Sequence, residues 1–386
     1  MRSADRRVAE ALPCRPRSER GIALVIAIVA LVVIGAIVAG TFFVSSLEQK
    51  TAGNAVFAAQ AYQSAEAGIV GTVAHWDPAY NTLPVDASIT PPADSIARGT
   101  YANVTISRLN PNLFLVRSVG TRRGATQTLA SVLHLVTVDP GVSAALTTAT
   151  DVGLTGPVAI DGAELAPAGW TACTPAAGAA GIRTAGAVHP SGYPGIAGAP
   201  ATAQHDSSIT DTVIHTPFDK LRGVATLSLS GGSGAGHYST FTNVGPSASG
   251  SPVSCNRLDP NNWGEPLRTG GHIAACTGYA PVVYIDGNAR IDGSGRGQGI
   301  LLVGGDLSLS AGFSWVGLVI ATGEVTITDG NGAVTGAIFA RGANFVSTGS
   351  VAGAPAVSYS KCALDYVLRA AAVARPLPTR AWLQVF

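Results

Sequence analysis

Seven histidines, five cysteines and a thin scatter of carboxylates are the residues of this chain able to move protons, hold metal or form covalent bonds. His75, His134, His189, His205, His215, His237 and His272 stand far apart, with no H-E-x-x-H, G-x-S-x-G, Walker or dinucleotide-binding glycine pattern around them. Gly231-Gly232-Ser233-Gly234-Ala235-Gly236 is glycine-rich enough to cradle a phosphate, but no lysine follows it. His205-Asp206 and Asp211 with His215 could approach a metal; surface hydrogen bonding accounts for them more simply. Asp286-Gly287, Asp292-Gly293 and Asp329-Gly330-Asn331-Gly332 lack the regular spacing of a calcium repeat needing about six to eight oxygens, and suit turns with positive φ. Phe313, Trp315 and Phe345 would make a carbohydrate-binding face or fill a core, and core filling fits them better. The expectation is a chain that is not an enzyme, with no catalytic residues, no metal and no cofactor.

Cysteine chemistry depends on compartment, and a membrane segment decides the compartment. From Gly21 through Leu47 there is no charged residue, and Ile22 to Val44 is almost continuously apolar. As a helix that run is about 35 Å long, enough for a bilayer core of about 30 Å. Beyond it Ala52, Val56, Ala59, Tyr62, Ala65, Ile69 and Val73 recur every three or four residues between polar ones, the pattern of an amphipathic helix continuing the first. Arg2, Arg6, Arg7, Arg15, Arg17 and Arg20 precede the span, which by the positive-inside bias keeps the leader cytoplasmic and sends the rest outward. Cys14 then stays reduced, whereas Cys173, Cys255, Cys276 and Cys362 meet an oxidising space and form two disulfides. Three pairings are open. A four-thiolate zinc site would want a C-x-x-C pair, and there is none.

The stretch Arg20-Gly21-Ile22-Ala23-Leu24-Val25-Ile26, with Leu47-Glu48, Ala52-Gly53-Asn54 and Tyr62-Gln63-Ser64-Ala65-Glu66-Ala67, resembles the N-terminal design of type IV pilins, and PilX-type minor pilins in particular. The resemblance implies cleavage by a prepilin peptidase between Gly21 and Ile22. It also implies packing of the helix against other pilin or minor pilin subunits. Major pilins carry a glutamate five residues into the mature chain; Ile26 stands there, which suits an initiating, tip or minor role and is shared with K-type pseudopilins of type II secretion. A Pro-rich, Trp-bearing tail resembles that of PilX-type proteins with a repeat domain.

The rest of the chain reads as β-rich cargo. Residues 1–21 form the basic leader and 22–76 the transmembrane and amphipathic helix, ended by Pro78. Residues 79–99 read as a loop and 100–138 as an antiparallel β-meander, with Arg122-Arg123 in a solvated turn. Residues 139–162 make a first solenoid rung, in which Gly156–Gly162 is similar in sequence to Gly287–Gly293. Residues 163–280 form a Gly/Ala/Ser/Pro-rich insertion without internal period. Within 281–360 one strand recurs at Asn288–Ile291, Asp306–Leu309, Glu324–Ile327 and Ala343–Val346. A second recurs at Ile300–Val303, Leu318–Ala321, Ala337–Ala340 and Ala356–Tyr359, each behind a glycine or, in the last, Pro355. A fixed period of 18 to 19 residues with glycine corners is the signature of a β-solenoid. Residues 361–386 form a helix able to cover one end, then a tail. The fold class is α+β: pilin-type helix, small antiparallel meander, then a C-terminal solenoid carrying a long loop insertion.

A net charge of +1 removes the electrostatic case for nucleic acid. The expected function is a minor pilin-like component of type IV pilus assembly, single-pass in the inner membrane with a cytoplasmic N-terminus, most of its mass periplasmic or in the filament. Its partners are other pilin subunits, the prepilin peptidase and the lipid bilayer. A membrane-anchored surface adhesin and a K-type pseudopilin are the alternatives. A polysaccharide-degrading enzyme would need carboxylates clustered along one solenoid face, and the sequence has no such cluster.

Overall fold

The computed structural model describes residues 20–97, 100–171, 173, 176–310, 312–328, 332–349, 356–378 and 382–385. Leader residues 1–19 with Cys14, the Asp329-Gly330-Asn331 turn and Pro355 lie outside them. Helix α1 (Arg20–Ala74) runs 55 residues without a break, about 83 Å at ~1.5 Å per residue. Every residue from Ile22 to Ala52 is exposed, and burial begins in the next turns. A single turn of 3-10 helix, Pro78–Thr82, follows; Asp77 caps it by accepting a hydrogen bond from the Ala79 N–H (2.8 Å).

Five strands come next: β1 (Ser88–Ile89), β2 (Asp94–Ala97), β3 (Thr100–Arg108), β4 (Leu113–Arg122) and β5 (Ala125–Val136). β3, β4 and β5 form the antiparallel meander, with β1 and β2 added along β3 in the segment read as a loop. β4 alternates buried and partly open positions, so one face seats Val104, Ile106, Phe114, Val116, Leu129 and Leu133 against Ala65 and Ile69 of α1. The contact is close because each side places a glycine against small residues of the other, Gly120 against Ala61 and Ala65 and Gly68 against Ser118 and Ala102. A Cβ on Gly120 would lie 2.0 Å from the Ala61 carbonyl oxygen, and one on Gly68 2.4 Å from Ser118 Oγ.

Beyond β5 the chain builds a parallel stack. Its first turns are β6 (Ala144–Thr148), β7 (Val152–Thr155), β8 (Ala159–Asp161), β9 (Ala180–Thr184), β10 (Val188–Ser191), β11 (Gly195–Ala197) and β12 (Thr202–Ala203). Helix α2 (Asp211–Arg222) precedes β13 (Leu227–Ser230) and β14 (Ser239–Thr242), and β15 (Ala248–Ser249) pairs apart with β16 (Ser254–Cys255). The stack resumes with β17 (Val282–Asp286), β18 (Ala289–Asp292), β19 (Arg296–Val303), β20 (Leu307–Leu309), β21 (Ser314–Thr328), β22 (Ala333–Val346) and β23 (Ala356–Tyr359). These strands pair in three parallel ladders. One runs through Val283, Leu301, Val319, Ile338, Leu146 and Ile182; the second through Ile291, Leu309, Ile327, Phe345 and Leu154. The third joins Arg296, Ser314, Ala333, Ala356, Ala159 and Gly195. Where the third ladder bends into the first, Gly299, Gly317 and Gly336 sit in register with φ of 127°, 131° and 148°. A Cβ on Gly336 would meet the Gly317 carbonyl oxygen at 1.9 Å, so the repeating glycine is the corner itself. Leucine, isoleucine, valine and phenylalanine fill the interior at near-zero exposure.

Several expectations change. Residues 163–280 are not a period-free insertion: β9 to β14 all join the ladders, separated by loops of unequal length that hide the repeat. Ala356–Tyr359 does not lie beside Ala337–Ala340. It pairs with Ala333–Gly336, while the other side of Ile338–Ala340 is taken by Leu146–Thr148. The segment 139–162 therefore stacks on the last repeats, and its Ala159–Asp161 lies in a different ladder from Ala289–Asp292. Helix α3 (Lys361–Ala370) packs across β19, β21 and β22 on the flank of the stack instead of covering an end. After it the tail returns to the meander as β24 (Val373–Pro376) and β25 (Trp382–Val385), both antiparallel to β5, completing a seven-stranded sheet.

Candidate functional site

The residues with an evident task are those of α1. Gly21 and Ile22 lie within its first turns, and the helix is long and apolar enough to cross a membrane, with a mean hydropathy of 3.3 in its best window. That is compatible with a single-pass anchor. Ile26, Leu31 and Phe42 are 63%, 70% and 74% exposed, so large apolar side chains face outward around the whole circumference. Gly35 and Gly40 have no atom within 4 Å of where a Cβ would stand. Among the described residues none covers this half.

The other half is fastened from several sides. Ser64 Oγ donates to the Tyr101 carbonyl at 2.8 Å, and Arg122 Nε donates to Gln60 Oε1 at 2.9 Å. The Arg123 guanidinium lies 5.4 Å from the centre of the Phe57 ring. The Arg122-Arg123 turn thus grips the helix, where the sequence suggested solvated charge.

The four outer cysteines pair as Cys173–Cys362 and Cys255–Cys276, two residues in each bond having been brought together by different elements. The first ties the segment after β8 to the start of α3. There Glu164 accepts the backbone N–H groups of Lys361 (2.8 Å) and Cys362 (3.2 Å), and Ser360 Oγ accepts that of Ala363 (3.2 Å). Beside it the Arg268 guanidinium lies 4.1 Å from the Trp170 ring and 5.1 Å from Tyr366. Burial pushes the Tyr366 hydroxyl pKa up. Close to the second disulfide, fully buried Glu265 accepts from Arg296 Nε (2.9 Å) and Nη2 (2.8 Å) and from the Leu267 and Ile273 N–H groups. Burial raises the Glu265 carboxyl, and these donors together outweigh it, leaving it below its ordinary pKa. Sequence reasoning missed both Glu265 and Glu164, because a lone carboxylate among loop residues has no pattern to announce it.

The remaining chemistry is dispersed. Gly231 and Gly232 pack on the turn between β17 and β18, and Asn288 Nδ2 donates to the Gly234 (2.8 Å) and His237 (3.1 Å) carbonyls. The glycine run is a backbone contact. Asp206 is engaged by Arg183, His189 Nε2 lies 3.3 Å from Asp151, Phe313 and Trp315 are buried beside Trp263, and Phe345 is buried between Ile327 and Leu154 in the second ladder. Among the described residues no three His, Cys, Asp or Glu side chains are grouped to hold a metal ion.

No family model matches the chain, and neither does any curated protein. Among solved structures it is similar to the crystal structure of the competence-associated pilin ComZ from Thermus thermophilus, at 14% identity over 85% of this chain and 98% of that one, with a TM-score of 0.26. Similarity at that level is too low to identify a shared fold.

Proposed function

We propose that this chain is a minor pilin-like structural subunit, held in the inner membrane by the N-terminal half of α1 and built into, or priming, a type IV pilus after a prepilin peptidase cuts between Gly21 and Ile22. The carrying observation is the division of one continuous helix: residues 22–44 are almost wholly apolar and every position from Ile22 to Ala52 is exposed, while Ala61, Ser64, Ala65 and Ile69 are locked to the sheet. A helix apolar on all sides needs lipid or other apolar helices around it. The same surface serves both states, lipid in the precursor and neighbouring subunits in the filament. The basic leader keeps the N-terminus cytoplasmic, so the sheet and the stack lie outside that membrane. The three ladders are read as a three-sided β-solenoid carried as the subunit's cargo.

Ile26 favours one variant of this reading: without a carboxylate at that position the chain suits a tip or initiating subunit, or a K-type pseudopilin of a secretion filament. The test is the intact mass of the chain recovered from the membrane and from sheared filaments of its native host. A mass starting at Ile22, and its loss in Gly21→Leu, is the expected result. An uncut chain in both fractions would overturn the proposal in favour of an anchored surface adhesin.

A further inference from the structure

A cleft of about 350 Å³ lies where α2 crosses the stack, within the ~300–1,000 Å³ range of small-molecule sites. Three in-register neighbours line it: Phe339 of β22, Thr147 of β6 and Arg183 of β9, one above another on parallel strands spaced about 4.8 Å apart. Ser143, Ser208, Thr212 and Thr216 add hydroxyls, the last two one turn apart on α2. Phe339, Ile209 and Pro217 supply apolar surface.

Three observations say what this cleft would take. Thr147 is 1% exposed, and its Oγ1 has no hydrogen-bond partner among the described residues, a state that costs about 1–3 kcal/mol unless something fills it. Pro217, inside α2, has no N–H to give the carbonyl of Val213, a second lining residue left without its usual helical donor. The only cation, Arg183, is already committed: Nε and Nη2 donate to Asp206, Nη1 to Ser143 Oγ and Nη2 to Ser208 Oγ. Hydrogen bonds from the Ser208 hydroxyl, Arg183 and the Ser208 N–H hold the Asp206 carboxyl at about 2, so the pair stays ionised and mutually neutralised. A cleft of hydroxyls over apolar surface, whose one remaining charge is the exposed Asp139 carboxylate that accepts from the Gly141 N–H (2.8 Å), turns anions away and suits a neutral ligand that both donates and accepts hydrogen bonds. One bridging water, occupying about 30 Å³, is far smaller than the space.

We propose that this cleft binds a neutral saccharide, with Thr147 Oγ1 bonding a sugar hydroxyl and the apolar lining covering a ring face. The site is independent of whether the chain enters a filament. The test uses the full chain in an amine-oxide detergent, free of sugar and phosphate. Saturation-transfer NMR would be run with glucose, galactose, N-acetylglucosamine and maltose, and with sialic acid and inorganic phosphate as charged probes. At least one neutral sugar should bind, about tenfold more weakly to Thr147→Val and not at all to Thr216→Trp, whose exposed position lets the ring fill the cleft without disturbing the core. Thr147→Val should keep or raise the thermal midpoint, since it removes an unpaired buried hydroxyl; a purely structural threonine would lower it. Absence of any neutral sugar signal, binding of the charged probes alone, or undiminished binding by Thr147→Val would each overturn the proposal.

Discussion

Two side-chain-free positions and one buried carboxylate carry residue-scale consequences. Gly120 lets β4 touch the backbone of α1, so Gly120→Ala pushes a methyl into the Ala61 carbonyl and the Ala65 nitrogen at 2.0 and 2.5 Å. Neither neighbour is a flexible side chain, and the expected loss is about 3 kcal/mol, seen as a lower thermal midpoint by circular dichroism in detergent. Gly53, in the same helix with nothing within 4 Å, is the contrast: Gly53→Ala should gain about 0.5–1 kcal/mol from helix propensity. Glu265 predicts acid sensitivity. Its folded pKa lies below the unfolded value of about 4.3, so its contribution is present above that pH and is lost as pH falls through the folded value. A Glu265→Gln chain should be less stable at neutral pH and show a flatter decline below about pH 4.3 in the same melts. Nothing in the amino-acid pattern marks Gly120, which sits in an otherwise ordinary alternating strand, because the partner that forbids a side chain there is more than fifty residues away.

At the scale of elements, α1 and the later strands were legible for opposite reasons. The helix declares itself through uninterrupted apolar residues from Ile22 to Val44, a signal needing no tertiary context. A charge placed in it tests the anchor: Leu31→Arg should cost about 2.5–3.5 kcal/mol of membrane insertion and shift the chain from the carbonate-resistant pellet to the soluble fraction, with the β-sheet circular-dichroism signal retained. The strands declare themselves through repetition, with Gly299, Gly317 and Gly336 marking one corner of successive coils. Repetition fails as a guide where loops differ in length. β9 pairs with β6 across the segment carrying Cys173, and β13 with β17 across the β14–β16 region, so 163–280 looked aperiodic. It also misled at Ala356–Tyr359, where sequence spacing matched one ladder and the chain entered another.

For the whole molecule, closure matters more than local pattern. Cys173 and Cys362 are 189 residues apart and Cys255 and Cys276 only 21. In the loop-entropy account the long closure restricts the unfolded chain by about 5 kcal/mol and the short one by about 3. Cys362→Ser with Cys173→Ser should therefore lower the thermal midpoint more than Cys255→Ser with Cys276→Ser, a ranking that calorimetry of the two double variants checks. The pairing itself was beyond reach of the sequence, as was the destination of the tail, since short strands such as Val373–Pro376 gain their identity only from the edge they join. That edge has a mechanical result. The chain leaves the sheet at Val136 and re-enters at Val373, and these two residues are cross-strand partners. Everything between them is tethered to the sheet by this double strand, braced by Arg257 on Asp77 (2.7 Å) and by Asn81 Nδ2 on the Ala370 and Ala372 carbonyls (3.1 and 2.8 Å). A pull on the stack is drawn along β5 in shear, against ten paired positions of β4 loaded together, so the towed mass cannot be peeled away one rung at a time.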